Sequence, residues 1–117
     1  MLPMGIELTN PEDTKIVTLA RSVRARTRAA EGACVRDTDG RTYAGATVDL
    51  PSLRVSAIGV AVAMAASSAA AGLEAVAVLG GAAVDESDLA AVRDFAGAGV
   101  TVYLASADGS VLEAVAT

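Results

Sequence analysis

The chain has 117 residues, enough for one domain with its own core, and 53% of them are hydrophobic. The net charge of −5 argues against general nucleic-acid binding, because phosphate contacts need clustered cations. The only cysteine, Cys34, has no partner for an internal disulfide, which fits a reducing compartment, and the chain has no histidine. No signal peptide is recognisable at the N-terminus, so we expect a cytoplasmic protein.

The sequence predicts a short lead-in over residues 1–9, followed by one domain over residues 10–117. Asn10 and Pro11 are typical of a helix start, and this helix should extend to about Ala30. A stripe of basic residues on its outer face suits RNA or an acidic partner, but a solvated helix face explains such stripes more often. The basic residues are Lys15, Arg21, Arg24, Arg26 and Arg28.

A β-hairpin is predicted after this helix. Gly32 to Val35 is the first strand, Asp39-Gly40 is a hairpin turn signal, and Arg41 to Val48 alternates as the second strand. Pro51 and Ser52 should then break the chain before the next element.

The run from Val55 to Leu73 is uncharged and rich in alanine, which predicts a helix that Gly72 ends. Its apolar character extends all the way round, so we expect burial on every side, as the central helix of a small α/β domain. A membrane span is the alternative, because about twenty uncharged residues can cross a bilayer. Alanine, serine and glycine give weak insertion energies, which disfavours that alternative.

The second half alternates between apolar strands and one helix, which gives the element order α-β-β-α-β-α-β-β for the chain. The predicted elements are a buried strand at Ala75–Leu79, a loop at Gly80-Gly81, a helix from Asp85 to about Ala96, a buried strand at Val100–Leu104, a turn at Asp108-Gly109 and a last strand at Val111–Val115.

Several local sequences in this order point to one family. Five segments of the chain together resemble the small cytidine deaminases. They are Gly32-Ala33, the DGRTYAG segment at Asp39–Gly45, Thr47–Asp49, the AVAVL strand and the late hairpin at Val102–Val111. The resemblance implies a cytidine deaminase-like three-layer α/β domain. It would have a five-stranded mixed sheet, helices on both faces and an antiparallel final strand.

The family's chemistry uses a zinc-bound water held by one His or Cys and two more cysteines, with a glutamate that moves protons. The family's C-A-E or H-A-E motif opens the central helix. Its counterpart here is Ser56-Ala57-Ile58 or, without a gap, Ile58-Gly59-Val60. The P-C-x-x-C motif falls on residues 84–88 and places Asp85 and Asp88 at the cysteine positions. The resemblance therefore implies that the catalytic positions are Ser56, Ile58, Asp85 and Asp88. They lack the zinc ligands and the glutamate, so we expect no metal cofactor.

The two aspartates have a simpler explanation than metal binding. Asp85 as N-cap and Asp88 at the third helical position would form a capping arrangement, with carboxylates favoured by the helix dipole.

The ribose-binding N-x-E of the family corresponds to Thr47-Val48-Asp49, so Thr47 and Asp49 are the candidate substrate-binding residues. Cys34 lies within a strand, where we expect a small buried core residue.

Three functions remain open. The first is a zinc-free, catalytically inactive cytidine deaminase homologue that acts as a structural or interaction protein. The second is a nucleoside- or nucleotide-binding module without turnover. The third is an active deaminase or hydrolase with relocated metal ligands, using Asp85, Asp88 or Glu86. The alanine-rich central helix, which allows close helix packing, and the family resemblance together predict a homo-oligomer, a tetramer rather than a dimer. An unknown protein partner is left open. The net charge disfavours nucleic acid as a partner, and the weak insertion energy of the central helix disfavours a membrane.

Overall fold

The computed structural model describes residues 5–117. This part of the chain contains three helices and seven strands. In chain order they are α1 (Pro11–Thr27), β1 (Gly32–Asp37), β2 (Thr42–Ala46), β3 (Val48–Leu50), β4 (Leu53–Val55), α2 (Ala57–Ser67), β5 (Leu73–Leu79), α3 (Glu86–Ala96), β6 (Thr101–Ala105) and β7 (Val111–Ala116).

Five of the strands form one mixed sheet in the order β2-β1-β5-β6-β7, while β3 and β4 form a separate hairpin. The β5 and β6 strands are parallel, and the other neighbouring pairs of the sheet are antiparallel, including the final strand β7 against β6. One face of the sheet is covered by α1 and the other by α2 and α3. The predicted α/β class, the three layers, the five-stranded mixed sheet and the antiparallel final strand are confirmed.

Small and branched aliphatic residues fill both layers between sheet and helices. On the α1 side, Ile16, Val17 and Ala20 pack against a cluster that includes Cys34. Burial raises the pKa of the Cys34 thiol from 9.0 to about 11, so Cys34 is the small core residue that the sequence predicts. On the other side, Ile58 of α2 and Val92 of α3 pack against the sheet.

The first helix starts where the sequence predicts and ends earlier. The Glu12 amide donates to Oδ1 of the N-cap Asn10 at 2.9 Å. The predicted end at Ala30 is wrong, because Arg28 adopts a left-handed conformation with φ 56° and turns the chain towards β1. Gly32 then passes so close to the helix that a Cβ there would overlap the carbonyl of Ala20.

The central helix is shorter than predicted, which corrects two expectations. It ends at Ser67 instead of Gly72, and Ala69 at φ 60° lies in the left-handed region just after it. It is also not buried on every side, since Ala63 is exposed and Met64 is 39% exposed. A run of alanines and serines has no internal signal for where a helix stops, so tertiary contacts set its end. No helix within residues 5–117 has both the length and the apolar character to cross a membrane.

The segment between the sheet and α2 contains a hairpin that the sequence reasoning missed. The predicted strand from Arg41 to Val48 ends at Ala46, and β3 pairs with β4 across the Pro51-Ser52 turn. Proline fixes the φ of such a turn, so Pro51 and Ser52 mark the tip of a hairpin and not only a break before α2. Leu50 and Leu53 flank the tip and are 54% and 53% exposed.

A buried ion network joins α1 to three strands. Arg36 of β1 is 6% exposed, and its guanidinium donates to Asp13 of α1 at 3.0 Å and to Glu74 of β5 at 3.1 Å. The Tyr103 hydroxyl of β6 donates to the other oxygen of Asp13 at 2.8 Å. Asp13 therefore links the helix to the sheet through two side chains.

The lead-in is described only in part, since residues 1–4 lie outside the described residues. Residues 5–10 belong to no helix or strand, but the Ile6 amide donates to the carbonyl of Val111 at 2.8 Å, and Leu8 packs against the α1-side core. The domain boundary after residue 9 stays a prediction.

Candidate functional site at the N-termini of α2 and α3

The helices α2 and α3 begin beside each other, and a side-chain hydrogen bond joins them. The Ser56 hydroxyl donates to Oδ1 of Asp88 at 2.5 Å. Ser56 is also the N-cap of α2, since its Oγ accepts from the Gly59 amide at 2.9 Å. Two of the four family positions inferred from sequence, 32 residues apart in the chain, are thus in direct contact.

The third of these family positions is Ile58, which is the second residue of α2 and points into the core. It is 1% exposed and belongs to the cluster beneath α2 and α3. An isoleucine side chain neither donates nor accepts a proton. Val60, the counterpart in the ungapped alignment, is half-buried and contacts β2 at Gly45, where a Cβ would lie 2.7 Å from its Cγ1.

The predicted capping arrangement at α3 is only partly correct. Asp85 is the N-cap by backbone position, and its carbonyl accepts from the amides of Asp88 and Leu89 at 3.0 and 3.1 Å. Its side chain, however, makes no cap hydrogen bond. Asp88 does occupy the third helical position, but its carboxylate accepts from Ser56 instead of from the backbone of Asp85, because the start of α2 lies within reach.

A third carboxylate, Glu31, lies beside these aspartates and was missed in the sequence. It is half-buried, and its carboxylate covers Gly81, where a Cβ would lie 2.6 Å from Oε1. Burial raises the pKa of Glu31, the negative charges of Asp88 and Asp85 raise it further, and Arg24 partly offsets them. Nothing in the local sequence marks this loop residue, because its neighbours come from another part of the chain.

The two candidate substrate-binding residues, Thr47 and Asp49, bind different partners. The Thr47 hydroxyl accepts from the Glu31 amide at 3.0 Å, and the Thr47 amide donates to the Glu31 carbonyl at 3.1 Å. Asp49 is on the exposed β3–β4 hairpin, where its carboxylate pairs with Arg54 at 3.4 Å. Thr47 thus fixes the backbone that carries Glu31. A substrate-binding role for either residue stays a prediction.

The donors at this end of the sheet do not converge on one point. Within residues 5–117, no group of three or more His, Cys, Asp and Glu side chains is arranged to hold a metal ion. A cavity of about 770 Å³ lies elsewhere, on the α1 face. It is lined by the lead-in, α1 and the β6–β7 turn, and includes Arg21 and Asp108.

The order of elements and the paired helix N-termini can now be compared with known proteins. A family model described as "Cytidine deaminase-like" matches residues 9–109. The chain belongs to the cytidine deaminase-like family. No curated protein sequence matches it.

Solved structures of cytidine deaminases share the fold. The enzyme from Burkholderia pseudomallei superposes with a TM-score of 0.76 at 19% identity, over 86% of this chain and 89% of its own. The enzyme from Mycobacterium tuberculosis gives 0.68 at 20% identity over 82% and 85%, and that from Mycobacterium leprae gives 0.69 at 15% over 90% and 92%. At these identities the likeness describes the fold alone.

Proposed function

We propose that this protein is a zinc-free cytidine deaminase-like protein that does not deaminate nucleosides and acts as a structural or interaction protein. The observation that carries the proposal is the Ser56–Asp88 hydrogen bond at 2.5 Å, which joins two positions that correspond to family zinc ligands. A protonated hydroxyl that donates to a carboxylate is not a zinc ligand, because zinc sites in proteins use thiolate, imidazole and carboxylate donors.

The residues at the family positions do not fit the zinc site of a deaminase. The fourth position, Asp85, is exposed, and Ile58 supplies no carboxylate for proton transfer. Cys34, the one cysteine, is buried on the α1 side of the sheet. The charges of Asp85 and Asp88 act on Glu31, but within residues 5–117 the three carboxylates are not arranged to hold a metal ion.

Metal content and turnover test this proposal together. We expect natively purified protein to contain far less than one zinc per chain by elemental mass spectrometry and to convert no cytidine to uridine above the uncatalysed rate. Asp85→Asn/Asp88→Asn should then change neither measurement. About one tightly bound metal per chain, lost in the double variant together with turnover, would instead establish the relocated metal site.

We also propose that the chain forms a homo-oligomer through the α2 side of the molecule. Large apolar side chains are exposed there, on α2 (Met64) and on the preceding hairpin (Leu50, Leu53). Apolar side chains of this size in water favour association. The oligomer and its size rest on this exposure and on the family.

Light scattering over a concentration series tests the oligomer. We expect a mass above that of one 11.6 kDa chain, and a shift towards the monomer in Leu53→Ser/Met64→Ser. Leu112→Ser is the matched control, since Leu112 is 53% exposed but lies on β7, at the sheet edge opposite β2. A monomer mass for the unaltered chain at all concentrations would contradict the proposal, as would equal dissociation in the control.

A further inference from the structure

The Ser56 hydroxyl and the Asp88 carboxylate are in direct hydrogen-bond contact. Two oxygen ligands about 2.0–2.2 Å from a tetrahedral zinc would lie roughly 3.3–3.6 Å apart. The two oxygens here are 2.5 Å apart, which is the separation of a charge-assisted hydrogen bond. The two side chains therefore bind each other directly.

The first turn of α3 is attached to the domain by the apolar packing of Val84 and Leu89 and by one side-chain hydrogen bond to α2. The Asp85 side chain makes no cap hydrogen bond, and Glu86 and Ser87 are exposed. Val92, about one turn beyond Asp88, is the fully buried residue of this helix. The loop before α3 is exposed at residues 82–83. Asp88 therefore supplies the side-chain hydrogen bond from this turn to α2, beside the apolar contacts of Val84 and Leu89.

We propose that the Ser56–Asp88 hydrogen bond replaces the bridging metal of the family as the structural link between α2 and α3. It holds the N-terminal turn of α3 against the N-terminus of α2 without a cofactor. The same Ser56 hydroxyl serves both helices, because it donates to Asp88 of α3 and accepts from the Gly59 amide as the N-cap of α2. The inference rests on the proposed absence of zinc, and it adds that the family's metal-bridged corner is maintained by this chain's own side chains.

Amide hydrogen exchange of the first turn of α3 tests the link, measured in the full chain with a chelator present. We expect Ser56→Ala and Asp88→Asn each to speed exchange over residues 86–90 by about tenfold, because a hydrogen bond to a charged group is lost. The double variant should be no faster than the single variants, since all three lack the same bond. Ser56→Thr keeps a hydroxyl and should preserve most of the protection.

Glu86→Gln is the matched control for Asp88→Asn. It removes an acid from the same helical turn, and so the same kind of dipole interaction, but Glu86 contacts Arg93 instead of Ser56. We expect its exchange to change by less than about threefold. Equal effects of Asp88→Asn and Glu86→Gln, or additive effects of the Ser56 and Asp88 variants, would overturn the proposal.

Zinc addition separates this proposal from the proposed function. We expect exchange of the α3 turn in the unaltered chain to be the same with added zinc and with chelator. Protection that appears only with zinc would overturn the direct link. Cytidine turnover bears on the proposed function alone, because the exchange comparison between variants does not depend on it.

Discussion

Replacing Ile58 with glutamate is expected to destabilise the protein by more than about 4 kcal/mol. The substitution restores the residue type that the family uses for proton transfer, at the position that the motif assigns to it. Here that side chain is 1% exposed and packed in the core beneath α2 and α3. The variant loses the packing of a buried isoleucine and gains a carboxyl group with no partner, so chemical denaturation should show little folded protein.

Two further substitutions keep this prediction measurable if the variant does not fold. Ile58→Val removes one methylene and should cost about 1 kcal/mol, read as a lower urea midpoint at unchanged slope. Ala63→Glu places the same carboxylate on the exposed side of the same helix and should change the midpoint little. A fully stable Ile58→Glu variant would show that this position faces a solvated pocket. The catalytic glutamate then could be restored by one substitution, which the structure argues against.

Replacing Asp13 with alanine is expected to cost about 3 kcal/mol of unfolding free energy. Asp13 accepts from Arg36 and from Tyr103, and its side chain is 13% exposed against 7% for Arg36. Removing one partner of a buried ion pair leaves the other charge in a poorly solvated place. Glu74 still binds Arg36 but is 45% exposed, so it compensates only in part.

Glu12→Ala is the control for this substitution. Glu12 is the neighbouring acid of the first turn of α1 and is exposed, so its removal weakens the dipole interaction without touching the Arg36 network. We expect Glu12→Ala to cost under about 1 kcal/mol by urea denaturation. Tyr103→Phe removes one of the two hydrogen bonds to Asp13, so it should lower the unfolding free energy by part of the amount that Asp13→Ala does. In the double variant the two decreases in unfolding free energy should not add, because both substitutions remove the same bond. Equal losses for Asp13→Ala and Glu12→Ala would mean that the network contributes nothing to stability.

Both core packing and polar links between elements hold this small domain together. Its core is built mostly from alanine and valine, which bury less area per residue than larger side chains. Specific polar links therefore matter more here, one on each face of the sheet. The Arg36 network fixes α1 on one face, and the Ser56–Asp88 bond fixes α2 to α3 on the other. In the proposed function, the residues at the positions inferred for the family's zinc site help to hold this fold together.

Signals that act over a few residues could be taken from the sequence alone. Asn10 and Pro11 marked the start of α1, because capping and the missing proline amide are local properties. Asp39-Gly40 marked the β1–β2 turn, where Gly40 adopts φ 84°. The apolar run of β5 predicted a strand buried on both faces, which follows from side-chain hydrophobicity. The family resemblance followed from the order of these local signals.

Contacts between distant residues decided the rest. The end of α2 at Ser67 depends on what packs against an uncharged, alanine-rich segment, which carries no local stop signal. Arg36 meets Asp13 across 23 residues, and Ser56 meets Asp88 across 32. The charges of Asp85 and Asp88 raise the pKa of Glu31 because the start of β1 pairs with the end of β5, which leads to α3. Such partners are fixed by chain topology, which is set by the whole core and not by any one segment.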